Sequence, residues 1–389
     1  MKNLKIMIVA GEASGDGHGA SLVEALRDAE PEVNFEFFGA AGKRLRASGV
    51  EPIVAADALS IIGLPEIARA LPMFLRAFRD LKREAIERKP DAVVLVDFPD
   101  FNLKLAKSLK KQGLKVIYYI SPQLWAWRKY RVNSIKKYVD LVIAILPFEK
   151  DWYANHGVTH VEYVGNPLAG EVQAKLSKED FCRKHDLSSE RPIVTLLPGS
   201  RHKEIVRILP VMLEAAVLMS AKLPGIQFVI ALASNHDQKD VEKTISAMKD
   251  RGFTPLTIVE NETYDALNAS DAAAITSGTA TLEAGIIGTP MAIVYNSSAL
   301  NYRLLKPLIS VDHYGLINLI AGERVAKELI QKDFTAGTLA DEIIRLLEPA
   351  ENALMRERLR QAADKLGQGG ASKRAAKAIL RLIKGEGTD

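Results

Sequence analysis

The chain's 389 residues exceed one ordinary core, so two domains are expected. With 48% hydrophobic and 26% charged residues its composition is globular, and a net charge of +4 is too weak to imply a nucleic-acid partner. A single cysteine, Cys182, excludes an internal disulfide, and neither a secretory signal nor the ~18 uninterrupted apolar residues of a spanning helix can be read, so a cytoplasmic protein is expected.

Short Val- and Ile-rich runs alternate with helix-period segments, the pattern of parallel sheets covered by helices. The first, "IMIVAGEASGDGHGASLVEAL" (6–26), predicts a strand over 4–10, a glycine-rich turn and a helix over 18–29. Gly15-Asp16-Gly17-His18-Gly19-Ala20 fits the dinucleotide fingerprint, which also needs an acidic residue at the end of the second strand. That strand, 34–38, ends in Gly39-Ala40-Ala41-Gly42-Lys43 with Glu36 inside it, so NAD is not expected. The turn reads instead as backbone brought close to a ligand, with Glu12 at the carboxyl end of the first strand. "GAAGKR" lacks the spacing and hydroxyl of a phosphate-binding P-loop, so an ATPase is not expected.

A helix is predicted over 65–88, and the segment 61–84 carries Leu64, Ile67, Leu71, Phe74, Leu75 and Phe78 on one stripe, widened by Met73 and Ala77. Arg69, Arg76, Arg79, Lys82 and Arg83 surround that stripe, as in helices that lie on anionic membrane surfaces. Pro72 predicts a break or kink. The strand over 92–97 ends in Asp97, a carboxylate placed at the ligand edge of a sheet and suited to be a general base toward a hydroxyl. Asp100 reads as a cap for a helix over 102–112. After the strand over 115–120, Trp125, Trp127 and Arg128 in "SPQLWAWR" read as a wall for a large ligand. Further strands are predicted over 141–145 and 161–164.

The alternation then restarts, placing a boundary near 168: one domain over 1–168, a second over 169–369, and a final helix, 370–389, packing back toward the first. In the second half strands are predicted over 192–197, 226–231, 256–259, 271–275 and 290–294. Helices are predicted over 203–222, 240–251, 279–287 and 323–331, with two more after 338. "LLPGSRHKE" sets Gly199, Ser200 and Arg201 between a strand and a helix, where backbone amides and a guanidinium favour phosphate. "ITSGTATLEA" repeats the device with Ser277, Gly278, Thr279 and Ala280, and Glu283 one turn inside the helix is placed to reach ribose hydroxyls. His156 and His160 have no evident third ligand and no Asp-x-Asp pair exists, so no catalytic metal or other cofactor is expected.

Two Rossmann-like halves facing across a cleft, the second holding a nucleotide, resemble the GT-B glycosyltransferases. "GEASGD", "SPQLWAWR", "LPFEK" (146–150), "LLPGSR", "SGTATLEA" and "NLIAGERVAKELIQ" (318–331), in that order, resemble the lipid-A-disaccharide synthase family over nearly the whole chain. The resemblance implies transfer of the sugar of UDP-2,3-diacylglucosamine to the 6-hydroxyl of 2,3-diacylglucosamine 1-phosphate, giving a β-1,6 disaccharide and UDP. An α-linked donor giving a β-linked product means inversion with one general base. The resemblance puts catalytic weight on Glu12, Asp97, Arg201 and Asn318. Asp97 is assigned as base with Glu12 as competitor, Arg201 as the pyrophosphate residue, and Asn318 as part of the closed site. Ser14, Trp125, Trp127 and Arg128 are assigned to the acylated sugars. The resemblance also implies peripheral attachment to the inner face of the cytoplasmic membrane, through the stripe from Leu64 to Leu75, and a homodimer. Two alternatives remain open: a UDP-N-acetylglucosamine 2-epimerase, and a UDP-sugar-binding protein without catalysis.

Overall fold

The structure, a computed structural model, describes residues 3–56, 64–232, 238–248, 256–297 and 311–386; for 64–70, 238–240 and 247–248 only the backbone is described. The chain divides into two compact units, 1–167 together with 368–389, and 168–367.

The earlier unit runs β1 (Asn3–Ala10), α1 (Ala13–Ala29), β2 (Asn34–Ala41), α2 (Lys43–Ala47), β3 (Glu51–Ala55), α3 (Leu64–Arg88), β4 (Ala92–Val96) and α4 (Pro99–Lys110). It continues through β5 (Val116–Tyr119), α5 (Val132–Tyr138), β6 (Leu141–Ala144), α6 (Glu149–Asn155) and β7 (Val161–Tyr163). Its seven strands are parallel in the order β3-β2-β1-β4-β5-β6-β7. The chain winds outward from β1 to β3, then returns to β4 on the other side, so the order reverses between β1 and β4. Ligands of open α/β sheets bind at the carboxyl ends of the strands at such a reversal. "AVVLV" and "LVIA" are buried along their whole length because helices cover both faces. In β1 the period of two sends Leu4, Ile6, Ile8 and Ala10 into one layer and Met7 and Val9 into the other.

The later unit contributes α7 (Leu168–Glu171), α8 (Lys178–Lys184), β8 (Ile193–Leu197), α9 (His202–Lys222), β9 (Gln227–Leu232), α10 (Gln238–Met248), β10 (Leu256–Glu260) and α11 (Thr263–Ala269). Then follow β11 (Ala272–Thr276), α12 (Thr279–Ile287), β12 (Met291–Tyr295), α13 (Leu316–Ala321), β13 (Glu328–Ile330), α14 (Ala336–Leu347) and α15 (Pro349–Asp364). Its six parallel strands lie in the order β10-β9-β8-β11-β12-β13, with the reversal between β8 and β11.

The last helix, α16 (Ala371–Lys384), belongs to the earlier unit and packs on α1, burying Ala371, Ala375, Ala376, Ala378, Ile379 and Leu380. Two of its arginines tie it to the β7 edge of the sheet. Arg374 donates to the carbonyl of Val164 at 2.7 Å, and Arg381 pairs with Glu162 at 2.6 Å.

Three local expectations fail. The glycines of 15–19 are not a turn, since α1 begins at Ala13 and carries them in its first turns. Gly19 serves close packing, since a Cβ there would lie 3.1 Å from Leu45, whereas one on Gly15 would meet Val96 at an ordinary 3.6 Å. In place of the expected helix over 323–331 there is a loop followed by the short edge strand β13. Gly322, at φ +78°, ends α13, and "ELI" pairs with β12, a ladder that helix-period reasoning does not weigh. Finally, the break expected at Pro72 is absent, since α3 runs on through it as one helix.

Candidate active site

The β1 and β4 exits adjoin at the reversal of the earlier sheet, with Ala10 paired to Val96. Glu12 lies half-buried just past β1, and Asp97 half-buried just past β4. Asp97 and Phe98 both adopt left-handed backbone, at φ +45° and +51°. Two consecutive residues held there store strain of the kind concentrated at functional positions. The turn is held from several sides. The Tyr118 hydroxyl donates to the Asp97 carbonyl at 2.7 Å, and the Asn102 amide donates to the same oxygen at 2.8 Å. The Phe98 ring lies over Gly11, where a Cβ would come within 2.3 Å of it, so only glycine fits there. Burial pushes the Asp97 carboxyl up to about 6, the negative charge of Glu12 adds to the rise, and a hydrogen bond from the Phe98 amide opposes it. A carboxylate so tuned is still ionised at neutral pH and is a stronger base than an exposed aspartate.

Asp16 borders a small cavity of about 210 Å³ with Glu12 and Lys43, but its carboxylate is committed to backbone. It is buried and accepts from the amides of Gly42, Arg44 and Leu45, capping α2. Ser14 is exposed on the first turn of α1. Asp100 lies in the first turn of α4, and its carboxylate pairs with Arg128 (2.9 Å) and Arg131 rather than capping the helix.

The two tryptophans separate. Trp125 is 5% exposed, donates its indole N–H to Glu149 and meets Phe148 edge-on, so it belongs to the core. Trp127 is half-buried beneath the Arg128 guanidinium, 4.2 Å from its ring centre. Of the two, Trp127 keeps a face for a ligand.

The stripe of α3 also divides. Phe74 and Phe78 turn inward onto Phe98 and Phe101, with ring centres 5.9–6.4 Å apart. Leu71 and Leu75 stand 54% and 48% exposed. The side chains of Leu64 and Ile67 lie outside the described residues. No helix among the described residues is long and apolar enough to cross a membrane.

In the later unit the β8 and β11 exits adjoin in the same manner. A cavity of about 370 Å³ opens there, lined by Gly199, Ser200, Arg201, Ser277, Gly278, Thr279, Ala280 and Glu283, together with Glu204 and Thr263. Every residue assigned from sequence to a nucleotide thus borders one space. Glu283 accepts from the Tyr264 hydroxyl at 3.3 Å, and burial raises its carboxyl while that bond opposes the rise. The Ser277 hydroxyl is already committed, donating to the Tyr314 carbonyl at 2.7 Å.

The amides at the start of α9 differ from expectation. Those of Ser200 and Arg201 point at the carboxylate of Glu204, at 3.2 and 3.3 Å, in a capping box. An anion there meets Glu204 first, whereas the Arg201 side chain is 78% exposed.

Asn318 stands apart from the cavity. It is fully buried; its amide donates to Ala326 and Glu328, and its oxygen accepts from the Ala326 amide. Glu328 in turn accepts from the amides of Tyr314 and Gly315, so Asn318 braces the segment that Ser277 touches. Sequence reasoning missed Glu328 and Glu149. Both lie inside the quoted segments "LPFEK" and "NLIAGERVAKELIQ", but nothing local shows that Glu149 would meet Ser121 and Trp125 or that Glu328 would meet Asn318. Among the described residues no group of three His, Cys, Asp or Glu side chains lies together as a metal site.

Comparison with known proteins follows the same lines. A profile described as lipid-A-disaccharide synthetase matches residues 6–382. The lipid-A-disaccharide synthases of Trichlorobacter lovleyi and Syntrophus aciditrophicus are each 44% identical, covering 98% and 99% of this chain and equal shares of their own. That of Myxococcus xanthus is 43% identical, over 97% of each. Among solved structures, a UDP-N-acetylglucosamine 2-epimerase from Listeria monocytogenes, described as putative, aligns over 100% of this chain and 98% of its own, with a TM-score of 0.65 and 17% identity. A calicheamicin glycosyltransferase aligns over 100% of both chains, with a TM-score of 0.60 and 15% identity. These two likenesses are of fold alone, the two-sheet α/β plan of GT-B enzymes.

Proposed function

This chain belongs to the lipid-A-disaccharide synthase family, and from that premise we propose that its later unit holds the UDP of a UDP-2,3-diacylglucosamine donor while its earlier unit seats the acceptor and supplies the base. It is a glycosyltransferase of lipid A biosynthesis. The observation that carries the assignment of the nucleotide is the single cavity bordered by Gly199 to Arg201, Ser277 to Ala280 and Glu283. In this scheme the amides opening α12 and the Arg201 guanidinium meet the diphosphate, and Glu283 meets the ribose hydroxyls. No metal or other cofactor is used; the charge developing on UDP is met by those donors.

Asp97 removes the proton from the acceptor 6-hydroxyl as its oxygen attacks the anomeric carbon, the bond to UDP breaks, and the configuration inverts. Burial and the neighbouring charge of Glu12 support Asp97 as the base, with Glu12 as the group that tunes it. Trp127, Arg128 and Ser14 are assigned to the acylated acceptor. Asn318 is assigned as a positioning residue, because its side chain is used up by Ala326 and Glu328. Leu71 and Leu75, with Arg76, Arg79 and Arg83 on the same helix, support peripheral contact with the inner face of the cytoplasmic membrane. A homodimer completes the proposal, to be read by sedimentation.

The decisive experiment supplies UDP-2,3-diacylglucosamine and 2,3-diacylglucosamine 1-phosphate and follows products by mass. A β-1,6 disaccharide 1-phosphate with UDP is expected. Conversion of UDP-N-acetylglucosamine to its epimer without disaccharide would replace the transferase scheme with the epimerase alternative.

A further inference from the structure

Glu149 is a buried acid in the earlier unit that the reaction above does not use. It is 1% exposed at the start of α6, and each of its oxygens accepts two hydrogen bonds. Oε1 accepts from the Ser121 hydroxyl and the Trp125 indole, both at 3.1 Å. Oε2 accepts from the amides of Ile145 and Leu146, at 3.1 and 3.0 Å. Ser121 is also within 3.1 Å of the Tyr153 hydroxyl. Burial pushes the carboxyl up to about 7, and the hydrogen bonds hold it from rising further. A buried carboxylate with four donors is a fixed point in the fold, because removing any partner leaves a polar group unpaired.

What it fixes is the loop from Ser121 to Arg128. The loop's near half is gripped from inside through Ser121 and Trp125. At its far end Arg128 is left-handed, at φ +54°, covers Trp127 and reaches Asp100, three residues beyond Asp97. We propose that Glu149 is a positioning residue for the acceptor sugar: without touching substrate, it holds the Trp127–Arg128 rim in the shape that presents the acceptor to Asp97. The inference rests on the acceptor seat proposed above. A carboxylate is required because both oxygens face donors. A glutamine in its place would turn its NH2 toward one pair of N–H or O–H groups whichever way the amide lies.

The test is steady-state kinetics of Glu149→Gln with both acylated substrates, beside its melting temperature. The acceptor KM is expected to rise by about ten-fold or more, with kcat and the donor KM within about three-fold, the mark of lost acceptor positioning. Trp125→Phe, which removes one donor and keeps the ring bulk, is expected to shift the same constant by a smaller factor. A lowered melting temperature with a wild-type acceptor KM would overturn the inference and leave Glu149 a purely structural acid. Should Glu149→Gln fail to fold, wild-type acceptor KM values in both Trp125→Phe and Ser121→Ala would overturn it equally. Trp127→Ala separates the two levels. If it leaves the acceptor KM unchanged, the acceptor seat itself is misplaced; if it raises that KM while Glu149→Gln does not, only the role of Glu149 is lost.

Discussion

The exits of β1 and β4 in the earlier unit and those of β8 and β11 in the later unit occupy equivalent points of reversal in their sheets, yet they are chemical opposites. The first pair presents two carboxylates, Glu12 and Asp97, beside aromatic rings and strained backbone. The second presents glycines, hydroxyls and a helix start around a cavity. Desolvating a carboxylate raises its affinity for a proton, whereas small residues leave backbone amides within reach of an anion. In the proposed scheme topology chooses where each unit binds, and the residues at the turn choose between proton transfer and phosphate binding.

The sharpest way to break this contrast is Asp97→Asn. Loss of a general base is expected to lower kcat by roughly 10²–10⁴-fold, while UDP affinity, measured by calorimetry, stays within about two-fold. Full turnover in that variant would move the base to Glu12. The same substitution tests the physical origin of the base. A carboxyl raised to about 6 by burial is destabilising to the fold once it ionises, so the folded state holds its proton more tightly than the unfolded one. Asn accepts left-handed backbone, so Asp97→Asn is expected to stabilise the fold above pH 6, by on the order of 3 kcal/mol at most, with the gain shrinking toward pH 4. Thermal melts across that range check the sign.

For activity the direction is reversed. The base must be ionised, so kcat/KM for the acceptor should fall about ten-fold per pH unit below about 6, and Asp97→Asn should lack that limb. In the later unit, Glu283→Ala is expected to weaken UDP binding by about ten-fold while acceptor binding holds, since one charge-assisted contact is lost. Unchanged UDP affinity would mean that the cavity is not the nucleotide site. The smallest effect is expected from Leu71→Ser with Leu75→Ser. Both side chains are about half exposed, so the fold should survive, while partition onto anionic vesicles should drop by about ten-fold. Unaltered partition would remove α3 as the membrane contact.

Legibility followed locality. The segments "LLPGSR" and "ITSGTA" could be read directly because a β-branched run, a glycine turn and a helix start are all encoded within ten residues. Asp97 was legible for the same reason. Asn318 was not, because a polar residue in "LINLIA" can face solvent, ligand or core, and its bonds to Ala326 and Glu328 settle which. Trp125 and Trp127 look alike in sequence, but the indole of one finds Glu149 and the ring of the other lies beneath Arg128.

The order of apolar runs, their Val and Ile content and their glycine-bounded ends were enough by themselves to determine two parallel α/β sheets and the glycine turns at their strand exits, since strand period and turn geometry are properties of neighbouring residues. Only the tertiary structure decided which of those turns meet at a reversal and that 15–19 is helix. It alone made 328–330 a strand and Glu149 the anchor of four donors. Each of these depends on residues brought together from far along the chain, where packing space and unpaired polar groups, rather than local propensity, choose the outcome.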